Sequence, residues 1–253
     1  MSFLQEVLGH PLTRGLAVDD PRTTLLRHDI IQGKAFLRAL YAEWYERICG
    51  VLDKKNDVLE LGSGAGFLQQ FLPGAITSEV FETPGVKLIA SACNLPLKAE
   101  SLDAIVMTDV FHHIPDVGRF LAEAARCVRP GGKLVMIEPW RTAWSEWVYT
   151  HLHSEPFSPE SGWEIPNTGP LSGANGALPW IVFQRDRALF EARFPQWHIN
   201  NIEPMMAFTY LLSSGVSMRS FLPGWMYRPV RTIERVMGEK RSAMFALIEL
   251  ELE

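Results

Sequence analysis

The chain has 253 residues, 47% of them hydrophobic, which is enough to form one large α/β domain or a domain with a lid. Its formal net charge of −5 argues against a general nucleic-acid-binding protein. The three cysteines, Cys49, Cys93 and Cys127, are far apart and lack C-x-x-C spacing, so neither a disulfide framework nor a cysteine zinc site is expected.

Targeting signals are not evident in the sequence. Residues 1–20 lack the apolar core of a signal peptide, and no apolar run is long enough to span a bilayer. These features predict a cytoplasmic protein.

The first predicted element is a helical segment over residues 1–50. Asp20-Pro21 is a typical helix start, and apolar residues then recur at near-helical spacing up to Gly50. Gly33 is a candidate break between two helices. This segment either covers a ligand site or packs on the edge of the sheet that follows.

A short apolar strand then runs directly into a glycine-rich turn. Gly62, Gly64 and Gly66 follow strand Val58–Leu61, and a helix is expected to start near Phe67. The dinucleotide fingerprint requires a small residue where Phe67 stands, and no Gly-Lys-Ser/Thr of a P-loop follows. Glu60 precedes the glycines, where a carboxylate would repel a pyrophosphate and attract an ammonium group.

Strands and helices continue to alternate along the chain. The expected elements are strands at Ala75–Phe81 and Ala104–Thr108, a helix capped by Asp116, and a strand at Lys133–Ile137. This alternation predicts an α/β fold with a doubly wound, mostly parallel sheet, which binds ligands beyond the carboxyl ends of its strands.

Four segments in this order resemble class I S-adenosylmethionine (SAM)-dependent methyltransferases of the small-molecule, methyltransferase type 11-like group. The segments are Gly62–Gly66, Leu95–Leu97, Ser101–Val106 and Val128–Leu134. The resemblance covers about residues 56–139. It implies a seven-stranded Rossmann-like sheet and a single cofactor, SAM.

The resemblance also places the remaining strands of the sheet. Trp197–Ile202 and Ala243–Leu252 would be the last two strands, one of them antiparallel. The link Glu82–Lys87 is too short for a helical crossover, so the third strand is expected to be reduced or displaced. The domain would span residues 51–253, with lid-like insertions at about 151–185 and 205–238.

The resemblance implies a set of cofactor-binding residues. The amino acid end of SAM would lie on the glycine turn, and Glu79 would bind the ribose hydroxyls, with Glu82 as a competitor. Ser91 stands where the family often has an acid for the adenine, which predicts a weaker contact. The full predicted set is Glu60, Gly62, Ser63, Gly64, Gly66, Glu79, Ser91, Ala92, Asp109 and Phe111.

His112 is the candidate general base, because in the family the loop after this strand faces the methyl group and imidazole titrates near neutrality. The alternative is a histidine that packs or bonds a backbone carbonyl. Glu138 is a further candidate to face the pocket. His112 and His113 are adjacent and would point in different directions on a strand, so no metal site is predicted.

The second half of the chain leaves two questions open. Its aromatic residues form either an acceptor pocket or a small second core; they are Trp140, Trp144, Trp147, Tyr149, Phe157, Trp163 and Trp180. Residues 221–235 join an aromatic entry to Arg228, Arg231 and Arg235 at helical spacing. This segment is either a peripheral membrane contact or a solvated helix face.

The leading hypothesis is therefore SAM-dependent methyl transfer to a small or amphiphilic acceptor by in-line displacement. Two alternatives stay open: a methyltransferase for a lipid or polyprenyl-linked acceptor at the membrane surface, and a non-catalytic SAM-binding protein. A nicotinamide dehydrogenase is disfavoured by Phe67 and Glu60. The sequence does not define the acceptor or the oligomeric state.

Overall fold

A computed structural model describes residues 20–153, 155–166, 169, 172–219 and 222–253. Within these residues, seven strands form one sheet in the order β3-β2-β1-β4-β5-β7-β6. The strands are β1 Val58–Leu61, β2 Ile76–Glu79, β3 Leu88–Ile89, β4 Leu102–Thr108, β5 Val128–Pro139, β6 Trp197–Met205 and β7 Phe245–Leu252. Only β7 runs in the opposite direction to the other strands, which confirms the predicted mostly parallel, doubly wound sheet.

Helices cover both faces of this sheet and produce two hydrophobic clusters. The helices are α1 Pro21–Gly33, α2 Ala35–Val51, α3 Val117–Cys127, α4 Ala143–Leu152, α5 Arg187–Arg193, α6 Thr209–Ser213 and α7 Tyr227–Met237. The central strands β1 and β4 are almost wholly buried because both of their faces are covered. Their sequences accordingly read as continuous apolar runs.

The amino-terminal helices follow the predicted signals. The Asp20 side chain accepts a hydrogen bond from the Arg22 backbone N–H at 2.9 Å and caps α1. Gly33 ends α1, and α2 begins two residues later. Both helices contribute side chains to the cavity described below.

The third strand is reduced, as predicted. It has two residues, Leu88 and Ile89, and pairs in parallel with the end of β2. The intervening residues 80–87 contain no helix and turn at Gly85, whose φ is +85°. The sheet therefore ends on this side in a strand of only two residues.

Two local expectations were wrong. The helix expected from Phe67 is only a 3₁₀ turn, Leu68–Gln70, so the glycine turn is followed by a single short turn. Strand β5 begins at Val128, directly after α3, so the Pro130-Gly131-Gly132 turn lies within the strand. Gly131 adopts the left-handed conformation there, with φ +73°.

Most of the second half has local order despite its irregular sequence. A helical turn Leu178–Trp180 and a π-helical turn Ile181–Arg185 lead into α5. Further 3₁₀ turns lie at Phe111–His113, Gly224–Met226 and Glu239–Ser242. The proposed division into a helical segment, residues 1–50, and a domain, residues 51–253, stays a prediction, and residues 1–19 and Phe221 lie outside the described residues.

No helix in the described ranges is both long enough and apolar enough to cross a membrane.

Candidate active site

A cavity of about 600 Å³ opens beyond the carboxyl ends of β1, β2 and β4, where the fold places ligand sites. Thr24 of α1 and Tyr41 of α2 line it from the amino-terminal segment. Of the predicted cofactor-binding residues, seven line the cavity: Glu60, Gly62, Gly66, Glu79, Ser91, Ala92 and Asp109.

The glycine turn has almost no room for side chains. Gly62 has a φ of +67°, and a Cβ there would lie 2.5 Å from Val110 Cγ2. A Cβ at Gly64 would lie 2.7 Å from Glu79 Oε1 and would also clash with Thr24. A Cβ at Gly66 would lie 2.5 Å from the Tyr45 hydroxyl. Because these glycines lack a Cβ, side chains from α1, from α2, from the end of β2 and from the loop after β4 can lie directly against the turn that follows β1.

Glu79 lies where β2 ends and faces the glycine turn. Its carboxylate accepts hydrogen bonds from the backbone N–H groups of Gly64 and Val80, each at 3.1 Å. Burial raises its pKa despite these hydrogen bonds. Glu82, its competitor in the sequence, is exposed and does not line the cavity.

Glu60 is a second buried carboxylate on the same wall. Its side chain is 5% exposed, and burial raises its pKa to about 7, with the charge of Glu79 adding to the shift. Such a pair is costly in an empty cavity and is stabilised by a cation. The wall thus matches a ligand that carries positive charge.

Asp109 follows β4 in an unusual backbone conformation. Its φ is +61°, a left-handed conformation that Asp adopts more readily than most residues. The conformation is held by a hydrogen bond from its N–H to the Ile137 carbonyl at 2.9 Å. Burial raises its pKa to about 7, and it joins Glu60 and Glu79 in making the cavity acidic.

Three predicted cofactor contacts have other structural roles. Ser63 is buried, and its hydroxyl donates to the Glu60 carbonyl while accepting from the Ser78 N–H, so it joins β1 to β2. Phe111 is fully buried against Phe183, with ring centroids 5.2 Å apart. Gly64 directs its N–H to Glu79. None of Ser63, Gly64 and Phe111 lines the cavity.

His112 does not have the surroundings of a free general base. Its side chain is fully buried and outside the cavity lining, and its Nδ1 lies 2.8 Å from Glu138 Oε2. Although burial opposes the charged form, the Glu138 and Glu155 carboxylates raise the pKa of His112 well above its ordinary value. His112 is thus held in a buried network with Glu138 and Glu155, away from the cavity lining, and its assignment as the general base stays a prediction.

Glu138 does not face the pocket as expected. It is fully buried, and Oε1 accepts the backbone N–H groups of Val110 and Phe111, each at 2.7 Å. Its other oxygen contacts His112. This one carboxylate therefore fixes the whole loop after β4, including the turn that presents Asp109.

Both insertions contribute to the cavity lining. His153, Glu155, Pro156 and Phe157 lie on the first insertion, and Tyr210, Val216 and Ser217 lie on the second. Lys34, at the start of α2, donates to the carbonyls of Gly215 and Met218 and so holds the second insertion in place. The insertions therefore bound the side of the cavity opposite the sheet.

Sequence reasoning missed Glu155 and Asn175. Asn175 is buried, and its side-chain amide exchanges two hydrogen bonds with the backbone of Ser158, at 2.9 and 3.1 Å. Its own N–H donates to the His112 carbonyl at 2.9 Å. Asn175 thereby holds the segment that carries Glu155 beside the histidines. Both residues lie in stretches without periodicity, so no sequence pattern marked them.

The aromatic residues divide between the two readings left open by the sequence. Tyr149 and Phe157 line the cavity and stack with centroids 4.9 Å apart. Trp140 and Trp163 are buried in a hydrophobic cluster. Trp144 and Trp147 are exposed. The aromatic content is therefore partly pocket, partly core and partly surface.

The expected basic face of α7 is not formed. Arg231 is 2% exposed and pairs with Glu43, Glu234 and Glu239. Arg235 also pairs with Glu43, at 2.9 Å. The exposed side of α7 is mixed: Ile233, Val236 and Met237 are 55%, 83% and 73% exposed, and Arg228, Thr232 and Arg235 are exposed beside them.

Comparison with known proteins gives the class of this domain. Residues 59–136 match the family model described as a methyltransferase domain. Together with the strand order of the sheet, this match indicates a methyltransferase domain over this part of the chain.

Two curated relatives and one solved structure illustrate the similarity. The chain is 34% identical over 88 residues to phthiotriol/phenolphthiotriol dimycocerosates methyltransferase 1 of Mycobacterium ulcerans, covering 29% of this chain and 32% of that protein. It is 30% identical over 101 residues to the demethylmenaquinone methyltransferase of Thermobifida fusca, covering 40% of this chain and 35% of that protein. The matches thus span about a third of each relative's length.

The solved structure is a SAM-dependent methyltransferase of Thermotoga maritima, described as a possible histamine N-methyltransferase. The two structures superpose with a TM-score of 0.56 at 17% sequence identity. The match covers 92% of this chain and 100% of the Thermotoga maritima chain. At this identity the match shows a shared fold.

Proposed function

We propose that the protein binds SAM in the cavity and transfers its methyl group to a small or amphiphilic acceptor. The observation that carries this proposal is the acidic wall of Glu60 and Glu79 on either side of a glycine turn without space for a Cβ. SAM carries an ammonium group and a sulfonium, so its charge is complementary to this wall. A diphosphate would be repelled by the same carboxylates.

The roles of the cavity residues follow from their positions. Glu60 and the glycine turn would hold the amino acid end, and Glu79 would accept hydrogen bonds from the ribose hydroxyls. Ser91 and Ala92 would lie against the adenine, and Asp109 would lie near the sulfonium. Because the leaving thioether departs readily, the protein mainly has to align the acceptor with the methyl group and exclude water, which is worth about 7–11 kcal/mol in favourable cases.

A substitution in the glycine turn tests this proposal. In Gly64→Ala the new Cβ would clash with Thr24 and Glu79, so we expect at least a tenfold loss of SAM affinity in calorimetric titration. Gly162→Ala is the matched control, because a Cβ there meets nothing within 4 Å. Equal affinity in both variants, or no binding by the unmodified protein, would refute the proposal. SAM binding without methyl transfer to any acceptor fraction would favour the non-catalytic alternative.

We further propose that the acceptor is amphiphilic and is reached at a lipid surface. The supporting observation is the set of exposed apolar residues on α7, Ile233, Val236 and Met237, together with Trp225, which is 75% exposed. Arg228, Lys240 and Arg241 are exposed nearby in the chain and would contact anionic headgroups. The two curated relatives are named for phthiotriol dimycocerosates and for demethylmenaquinone, which supports an acceptor of this kind.

Vesicle sedimentation tests the lipid contact. The unmodified protein should sediment with anionic vesicles, and Val236→Ser with Met237→Ser should reduce the bound fraction several-fold by removing buried apolar area. Thr232→Ala, on the exposed side of the same helix, is the control. No sedimentation, or equal sedimentation of all variants, would leave only the small-molecule acceptor.

A further inference from the structure

Two histidines and a carboxylate meet at the end of the cavity formed by the loop after β4 and the first insertion. One ligand atom from each of His112, His113 and Glu155 lies within 4.8 Å of the others. His112 Nε2 is 3.5 Å from Glu155 Oε2. His113 and Glu155 line the cavity, and His112 lies directly behind them.

In both His112 and His113, the ring nitrogen Nδ1 already has a hydrogen-bonding partner. His112 Nδ1 contacts Glu138 Oε2 at 2.8 Å, and His113 Nδ1 contacts the Gly173 carbonyl at 2.9 Å. Metal-binding histidines characteristically donate their non-ligating N–H to a carboxylate or a backbone carbonyl, which fixes the tautomer and the ring orientation. Both rings therefore have Nε2 available as the ligand atom.

One of these nitrogens is unsatisfied. His112 Nε2 is buried and makes no hydrogen bond to any described residue, although a buried polar atom normally has a partner. The Asp109, Glu138 and Glu155 carboxylates lie 4.0, 2.8 and 3.5 Å from the nitrogens of this ring. A cation between the rings and Glu155 would satisfy the nitrogen and offset part of this negative charge.

We propose that His112, His113 and Glu155 bind a divalent transition-metal ion such as zinc, with an open coordination position that faces the cavity. Two imidazoles and one carboxylate form a ligand set that suits such ions. Ligands at 2.0–2.2 Å from a tetrahedral ion lie about 3.4 Å apart, which the His112–Glu155 distance matches. The other separations, all within 4.8 Å, would close by at most about 1.4 Å on binding. His153 lies outside this ligand group; its Nδ1 accepts the Glu155 N–H at 3.3 Å, which leaves the ring proton on Nε2.

Asn175 supports the site from outside. Its side chain holds the backbone of Ser158, and its N–H bonds to the His112 carbonyl, so the two parts of the ligand set are fixed to each other. The open position would take an oxygen of the acceptor, such as a hydroxyl or carbonyl. This last step alone rests on the proposed methyl transfer; metal binding does not.

Cobalt is a suitable probe, because Co²⁺ replaces Zn²⁺ and its visible absorption reports the ligands. We expect the metal-stripped protein to bind one Co²⁺ per chain, with zinc competing for the same site. His113→Gln and Glu155→Gln should each weaken binding at least tenfold. His198→Gln is the matched control, because His198 is exposed on β6. Neither His113→Gln nor Glu155→Gln removes the buried His112–Glu138 pair, so both variants should fold.

Several results would overturn the metal site. They are the absence of stoichiometric Co²⁺ uptake, unchanged uptake in His113→Gln and Glu155→Gln, and an equal loss in His198→Gln. A parallel titration with S-adenosylhomocysteine separates this inference from the proposed function. Cofactor-product binding without metal uptake refutes the metal site alone, whereas metal uptake without cofactor-product binding refutes only the proposed function.

Discussion

Buried carboxylates are the residues that most define this site. Glu60, Glu79 and Asp109 all have raised pKa values because burial disfavours their charged forms. Glu138 differs, because three hydrogen-bond donors surround it and give it a structural role. The same chemical group thus forms the acidic wall of the cavity in one place and organises a loop in another.

The state of Glu60 predicts how stability depends on pH. Its folded-state pKa is raised from 4.5 to about 7, so its neutral form favours folding. The stability that it contributes is complete below about pH 4.5 and is lost as the pH rises through about 7. Glu60→Gln removes this loss, so at pH 8 the variant should be more stable than the unmodified protein by up to ~3 kcal/mol.

Urea unfolding at pH 5 and pH 8, without ligand, measures this difference. Near pH 5 the two proteins should have similar free energies of unfolding, because Glu60 is then largely neutral. Glu82→Gln is the control, since Glu82 is exposed at the sheet edge. Parallel pH profiles for the unmodified protein and Glu60→Gln would show that Glu60 is not desolvated as described.

Among the elements, helix α7 departs most from its sequence pattern. Its arginines at i, i+3 and i+7 indicated a basic face, yet its buried side holds Arg231 and Glu234. Glu234 accepts the N–H groups of Phe208 and Thr209, and Arg231 joins it to Glu43 of α2. The ion network attaches α7 to the domain and leaves its apolar residues exposed.

This arrangement makes Arg231 a structural residue. Arg231→Met would leave the buried Glu234 and the half-buried Glu239 without their cation, and breaking a buried pair from one side costs about 3–5 kcal/mol. Arg228→Met, on the exposed side of the same helix, should change the free energy of unfolding by no more than about 0.5 kcal/mol. Thermal or urea unfolding of both variants checks the contrast. Similar small effects would contradict the network, as would a large effect of Arg228→Met.

For the whole molecule, the sequence predicted what depends on local periodicity and short motifs. The order of the strands between residues 57 and 139, the Asp20 and Asp116 caps and the reduced β3 are confirmed, whereas the helix expected from Phe67 is not. These features depend on apolar runs, cap residues and link lengths that can be read within a few residues.

The parts that the sequence did not predict depend on contacts between distant segments. Glu155 and Asn175 lie about 40 to 60 residues from His112, and only the folded insertion brings them beside it. Arg231 is buried because it pairs with Glu43 of α2, which is 188 residues away in the chain. Phe111 was predicted to contact the cofactor from its position in a motif, whereas its ring packs against Phe183 in the core.

The most direct test of the account is calorimetric titration of S-adenosylhomocysteine into the unmodified protein, Glu79→Ala and Glu82→Ala. If Glu79 accepts the ribose hydroxyls, its loss removes charge-assisted hydrogen bonds worth about 1.5–3 kcal/mol. We predict one site per chain, affinity reduced by roughly tenfold to a hundredfold in Glu79→Ala, and unchanged affinity in Glu82→Ala. No binding to the unmodified protein, or equal losses in the two variants, would contradict the assignment of the cavity to SAM.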